Sequence, residues 1–213
     1  MKIKPKQENC NGIPYDFFDQ NSNSICFMLS GTGYSYEKPV LYYSRLLLLE
    51  LGYDVIQINY SFEQQLFEQE PQAISNMVYS VVNPIVEHCL RTKPYTNAVY
   101  IGKSLGTLPI IDFYMQQSSL IPTRYILLTP LLSLDHTMAN LLDKQAFLAI
   151  GTADPHFSQE KIAQLTTLDL AVFDGLNHSL EDAFNMIHTI QFCESLFMQL
   201  KAYIQKNGPS ISM

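Results

Sequence analysis

The chain has 213 residues, 47% of them hydrophobic and 15% charged, with a formal net charge of -7. Such a length and apolar content suit one generous core and leave no compositional ground for disorder. The acidic balance speaks against a nucleic-acid partner, which requires a basic face to neutralise phosphates.

Lys2, Lys4 and Lys6 resemble the basic start of a signal peptide, but Gln7, Glu8, Asn9 and Asn11 follow where an apolar stretch is required. Residues 13–18 read as an extra edge strand that pairs as a hairpin. Residues 25–29 and 53–58 are near-continuous apolar runs, the pattern of strands covered on both faces. Between them, residues 39–51 read as a helix opened by Pro39 and closed by Gly52. Its run of leucines at 46–49 predicts deep packing all round. Residues 71–90 form the next predicted helix and 98–101 the next strand. A helix over 105–117, a strand over 125–128 and a short helix over 135–142 follow. Strands over 147–150 and 168–173 and helices over 158–165 and 183–204 complete the order, leaving 207–213 as an unstructured tail.

Strands separated by helices of this length need crossover connections and hence a mostly parallel sheet of about seven strands, in one domain over residues 1–206. Ligands of such sheets sit at the carboxyl ends of the strands. The longest apolar stretch, 125–134, contains Thr129 and Pro130 and is too short to span a bilayer. Cys10, Cys26, Cys89 and Cys193 lie far apart without metal-ligand spacing, so they read as reduced thiols, two of them buried, in a cytoplasmic protein without a membrane partner. Nothing in the sequence requires a metal or an organic cofactor.

Chemistry concentrates at the predicted strand ends. Gly102-Lys103-Ser104-Leu105-Gly106 lies between a strand and a helix, the context that G-x-S-x-G requires. A serine forced into that sharp turn projects its hydroxyl, and the Leu105 amide can stabilise an oxyanion. The bland alternative is a serine that caps a helix. Gly102-Lys103-Ser104 also matches the end of a phosphate-binding loop, but Asn97 stands where that motif needs its first glycine and strand residues fill the loop.

A serine nucleophile needs a base. Of five histidines, His88 and His188 fall within helices as surface or packing residues, and His136 opens a short helix. His178, in the turn-rich Gly175-Leu176-Asn177-His178-Ser179 after the last strand, is the candidate base, with His156 second. Asp154, in Gly151-Thr152-Ala153-Asp154-Pro155, is the candidate acid that orients the histidine. Asp174 and Asp135 are its rivals, and a plain turn aspartate is the alternative role for Asp154. Ser30-Gly31-Thr32-Gly33-Tyr34 follows an early strand and suits a second oxyanion donor, from Thr32 or alternatively Gly33.

With these motifs the chain resembles the α/β-hydrolase superfamily over nearly its whole length, and is most similar to small lidless bacterial members near the dienelactone-hydrolase-like and carboxylesterase-like groups. The resemblance implies a Ser104–Asp154–His178 triad, an α/β-hydrolase fold without a cap domain, and hydrolysis of a small-molecule ester or thioester. Ser30 stands where many members carry a histidine before the oxyanion loop's first glycine. Dienelactone hydrolases use a cysteine nucleophile, so Ser104 argues against that activity. Residues 129–146, where members commonly insert a lid, leave room for one short helix. Tyr34, Tyr36, Phe62 and Met115 could line an open site, but such residues are more often core, and none receives a binding role.

Overall fold

Asn11 and Gly12 both adopt positive φ, 53° and 85°, the backbone of a tight two-residue hairpin turn. They join β1 (Lys6–Cys10) to β2 (Ile13–Phe18) in antiparallel register. The computed structural model describes residues 3–62 and 68–206; the tail expected at 207–213 lies outside the described residues. β2 then pairs antiparallel with β4 (Asp54–Ile58), and every further pairing is parallel. With β3 (Ser24–Leu29), β5 (Asn97–Lys103), β6 (Thr123–Leu128), β7 (Phe147–Gly151) and β8 (Asp169–Phe173), the sheet has eight strands in the order β1-β2-β4-β3-β5-β6-β7-β8. The strand added to the expected seven is β1, an exposed polar edge.

Alternate residues of the central strands face two separate apolar layers. Ile25, Phe27, Ala98 and Tyr100 point to the layer shared with α2 (Pro71–Thr92) and α3 (Asp135–Leu141). Cys26, Met28, Val99 and Ile101 point to the layer shared with α1 (Pro39–Glu50) and α5 (Met186–Gln205). Burial on both faces explains the near-continuous apolar runs. Cys26 and Cys89 are the buried thiols. Among the described residues no helix is long and apolar enough to cross a membrane.

Three expected helices differ. The segment after β5 is an irregular helix, a 3-10 turn over Ser104–Thr107 followed by a π-turn over Ile110–Tyr114. Pro109 supplies no amide to an α-helical ladder, and Met115 N–H reaches back five residues to the Ile110 carbonyl. The expected helix over 158–165 is regular only in α4, Gln159–Ile162. The last helix begins at Met186, where the Asn185 side chain caps it by accepting from the His188 amide at 3.1 Å. Within α1 the leucine run is not buried all round, since Leu46 is 42% exposed.

Candidate active site

The nucleophile candidate sits where three chain segments touch. A Cβ on Gly106 would lie 2.3 Å from the Leu29 carbonyl oxygen, and one on Gly102 would lie 2.5 Å from that of Gly106. The glycines of the pentapeptide are therefore required by contact between backbones. Ser104 between them has φ 52°, a left-handed conformation that side chains rarely adopt and that marks functional turns. Its hydroxyl is lifted from the end of β5 toward the loops after β7 and β8.

Those loops deliver the other two groups. Gly151 lies against the Leu176 carbonyl, the Ala153 amide donates to that carbonyl at 3.0 Å, and the Gly175 amide donates to Thr152 Oγ1 at 2.8 Å. Through this seam His178 Nδ1 meets Asp154 Oδ2 at 2.7 Å, and His178 Nε2 meets Ser104 Oγ at 2.8 Å. The carboxylate is buried, and its other oxygen accepts from the His156 amide at 2.9 Å. Burial pushes the Asp154 carboxyl upward, but the hydrogen bonds from His178 and the His156 amide, with the charge of the two imidazoles, hold it below 3.8. It stays ionised, able to fix the imidazole tautomer.

The other candidates are engaged elsewhere. Asp174 accepts from Thr152 Oγ1 at 2.9 Å, tying the two loops rather than reaching the imidazole. Asp135 is exposed and pairs with Lys161 at 3.6 Å. His188 pairs with Asp182, His136 with Asp112, and His88 is exposed on α2. His156 bonds through Nδ1 to Ser133 Oγ at 2.7 Å, and its ring stands edge-on to His178 at 5.2 Å. Asp154, His156 and His178 also have donor atoms within 4.8 Å of one another. Two of them already share the hydrogen-bond chain to Ser104.

The loop after β3 closes the site. A Cβ on Gly31 would lie 2.9 Å from the Lys103 carbonyl oxygen and 3.0 Å from Ser104 Cβ, so this loop abuts Ser104. Among the described residues, neither the Thr32 nor the Gly33 amide donates a hydrogen bond. Leu105 occupies the first turn of its 3-10 segment, where amides lack an intrahelical acceptor. Tyr60 Oη holds the loop from behind by donating to the Ser30 carbonyl at 2.6 Å. Tyr60 and Phe62 line a cavity of about 210 Å³ with Gly31, Thr32, Gly33 and Leu105. Tyr36 is core: its hydroxyl lies between the carbonyls of Met28 and Ile58. Tyr34 and Met115 are also buried in core layers.

The structure adds one residue to those expected, Lys103. Its side chain is buried beneath the loop that carries His178, 1% exposed. Its sequence signal was only the charge itself, lodged between the glycine and serine of the motif.

No family model matches the sequence, and no curated protein is significantly similar to it. Solved structures match its shape. The esterase Pf2001 of Pyrococcus furiosus superposes with a TM-score of 0.69 at 14% identity, over 96% of this chain and 92% of that one. XC6422 of Xanthomonas campestris, described as an α/β serine hydrolase without a lid, gives 0.66 at 14% identity, over 99% and 98%. Est1E of Butyrivibrio proteoclasticus gives 0.62 at 14% identity, over 92% and 99%. The chain has the α/β-hydrolase fold. Within that fold the connection from β6 to β7 carries α3 alone, and no cap domain is inserted among the described residues.

Proposed function

We propose that this α/β-hydrolase chain is a serine hydrolase that cleaves a carboxylic ester or thioester of a small substrate through an acyl-enzyme on Ser104. The observation that carries the reading is the unbroken hydrogen-bond chain Asp154–His178–Ser104, with the serine held at φ 52°. In this mechanism His178 Nε2 takes the Ser104 proton as Oγ attacks the acyl carbon. Asp154 stabilises the imidazolium, which returns the proton to the leaving alcohol or thiol. The amides of Leu105 and of Thr32 or Gly33 donate to the oxyanion of the tetrahedral intermediate. A water deprotonated by His178 then releases the acid and restores Ser104.

The cavity beside Thr32 and Leu105 is small and aromatic, which supports a short acyl group lodged against Tyr60 and Phe62. A p-nitrophenyl ester series should therefore give its highest kcat/KM at short chains. A fluorophosphonate probe tests the chemistry directly. Wild type should label and Ser104→Ala should not. Equal labelling of both would refute the nucleophile, and an unlabelled wild type would favour a binding protein that keeps the fold without the reaction.

A further inference from the structure

Lys103 ends β5, one residue before the nucleophile. It shares the sheet face of Val99 and Ile101, and so enters the apolar layer under α1 and α5. An ammonium there is costly, since burial disfavours the charged form. Its ordinary value of 10.5 is lowered by burial to about 8, against the upward pull of Asp154 and Glu181 and with a further push down from Lys38. An apolar side chain would fill the same space at no such cost, so the contacts of the ammonium must explain it.

Those contacts are two hydrogen bonds and one aromatic face. Nζ donates to the His178 backbone carbonyl at 2.6 Å and to Thr129 Oγ1 at 2.5 Å, and it lies 4.9 Å from the centre of the Tyr34 ring. Thr129 is itself strained. It has φ 46°, an outlying conformation for a β-branched residue, and is pinned by donating its amide to the Ala149 carbonyl at 2.7 Å. One ammonium thus ties the end of β5, the residue after β6 and the backbone of the base itself. Held by its carbonyl, the His178 peptide sets the pivot from which the imidazole reaches Ser104.

We propose that Lys103 is a positioning residue that clamps the His178 carbonyl against the Thr129 hydroxyl and so holds the base in register with Ser104. The proposal rests on the reading of Ser104 and His178 as nucleophile and base. Hydrogen bonds from a charged donor are roughly twice as strong as neutral ones, so the clamp weakens when the ammonium loses its proton. The titratable groups around it are Asp154, Glu181 and Lys38, the His178 and His156 imidazoles, and the Tyr34 phenol, which burial pushes up to about 12. Among them the Lys103 ammonium, lowered by burial to about 8, lies on the mildly alkaline side.

The test compares wild type, Lys103→Met and Ser104→Ala in p-nitrophenyl acetate hydrolysis from pH 6 to 10. Displacing a catalytic group by about 1 Å lowers turnover roughly 100-fold. Lys103→Met should therefore lose roughly 30- to 100-fold in kcat with KM within about threefold of wild type. Wild-type kcat should fall as the pH rises through about 8, and Lys103→Met should lack that limb. A kcat within about threefold of wild type, or an alkaline limb unchanged in Lys103→Met, would overturn the proposal. Should the variant not fold, the low-field proton resonance of the Asp154–His178 hydrogen bond in wild type decides. It should shift or broaden as the pH passes about 8, and a resonance constant beyond that range refutes the clamp. A Ser104→Ala protein that still hydrolyses the ester defeats the underlying functional reading instead, independently of that resonance.

Discussion

Replacing Gly151 by alanine probes the seam that brings Asp154 and His178 together. The added Cβ would stand 2.0 Å from the Leu176 carbonyl oxygen and 2.5 Å from its carbon, where ordinary contact begins at 3.4 Å. The 176 backbone must then retreat by about 1.4 Å to restore contact. It cannot do so freely, because Leu176 is fully buried in the layer under α1 and α5. Its carbonyl also accepts the Ala153 amide. Two residues on, His178 bridges Asp154 at 2.7 Å and Ser104 at 2.8 Å, so a shift of this size breaks at least one of the two bonds. Turnover should fall by roughly 100-fold. Overpacking against backbone costs about 3 kcal/mol at the upper end of its range, which lowers the melting temperature by roughly 6–12 °C. Gly175→Ala is the control: Gly175 has φ 70° but no atom within 4 Å of the added Cβ, so it strains its own residue without pushing the seam. Ester hydrolysis with a parallel thermal melt is the assay. A Gly151→Ala protein with wild-type turnover and melting point would refute the reasoning.

Asp154→Asn should lower kcat by about four orders of magnitude, because an amide cannot hold the imidazole in its reactive tautomer. Asp174→Asn, which loses only a tie to Thr152, should stay within about tenfold of wild type; the reverse ranking would move the acid to Asp174. Asp154 also makes stability depend on acid. Its folded carboxyl titrates below 3.8, so its contribution is fully present above that value and is lost as the pH falls through the lower folded one. Denaturant midpoints should therefore fall less steeply below pH 4 for Asp154→Asn than for wild type. Tyr36→Phe leaves the carbonyls of Met28 and Ile58 without the hydroxyl between them and should cost about 1–3 kcal/mol in a denaturant titration. Its fluorophosphonate labelling should remain near wild type.

The central strands were legible because burial on two faces leaves long apolar runs, as in β3 and β7. The loops holding Ser104, Asp154 and His178 were legible because turn residues follow those runs at one edge of a parallel sheet. β1 was not, since Lys6, Gln7, Glu8 and Asn9 are all exposed and carry no alternation. Its one sequence signal was the Asn11-Gly12 turn. The break in the helix after Ser104 was written in Pro109, but its π register depends on packing beneath the sheet. Lys103 was the hardest to read. A lysine is ordinarily a surface residue, and only the tertiary arrangement reveals that two oxygen acceptors and the Tyr34 ring meet it inside. The exposed Leu46 shows the converse, where a run of four leucines overfilled the face that α1 has available.

The strand order also bears on when Ser104, Asp154 and His178 can first meet during synthesis. Ser104, Asp154 and His178 follow the fifth, seventh and eighth strands of the chain. A domain generally folds as a unit, so the sheet waits for its last strands to be synthesised. His178 arrives only after β8, and α5 must still cover the layer into which its loop is packed. A chain interrupted before β8 thus lacks His178, and the Asp154–His178–Ser104 hydrogen-bond chain is completed last, when the C-terminal strand and helix dock.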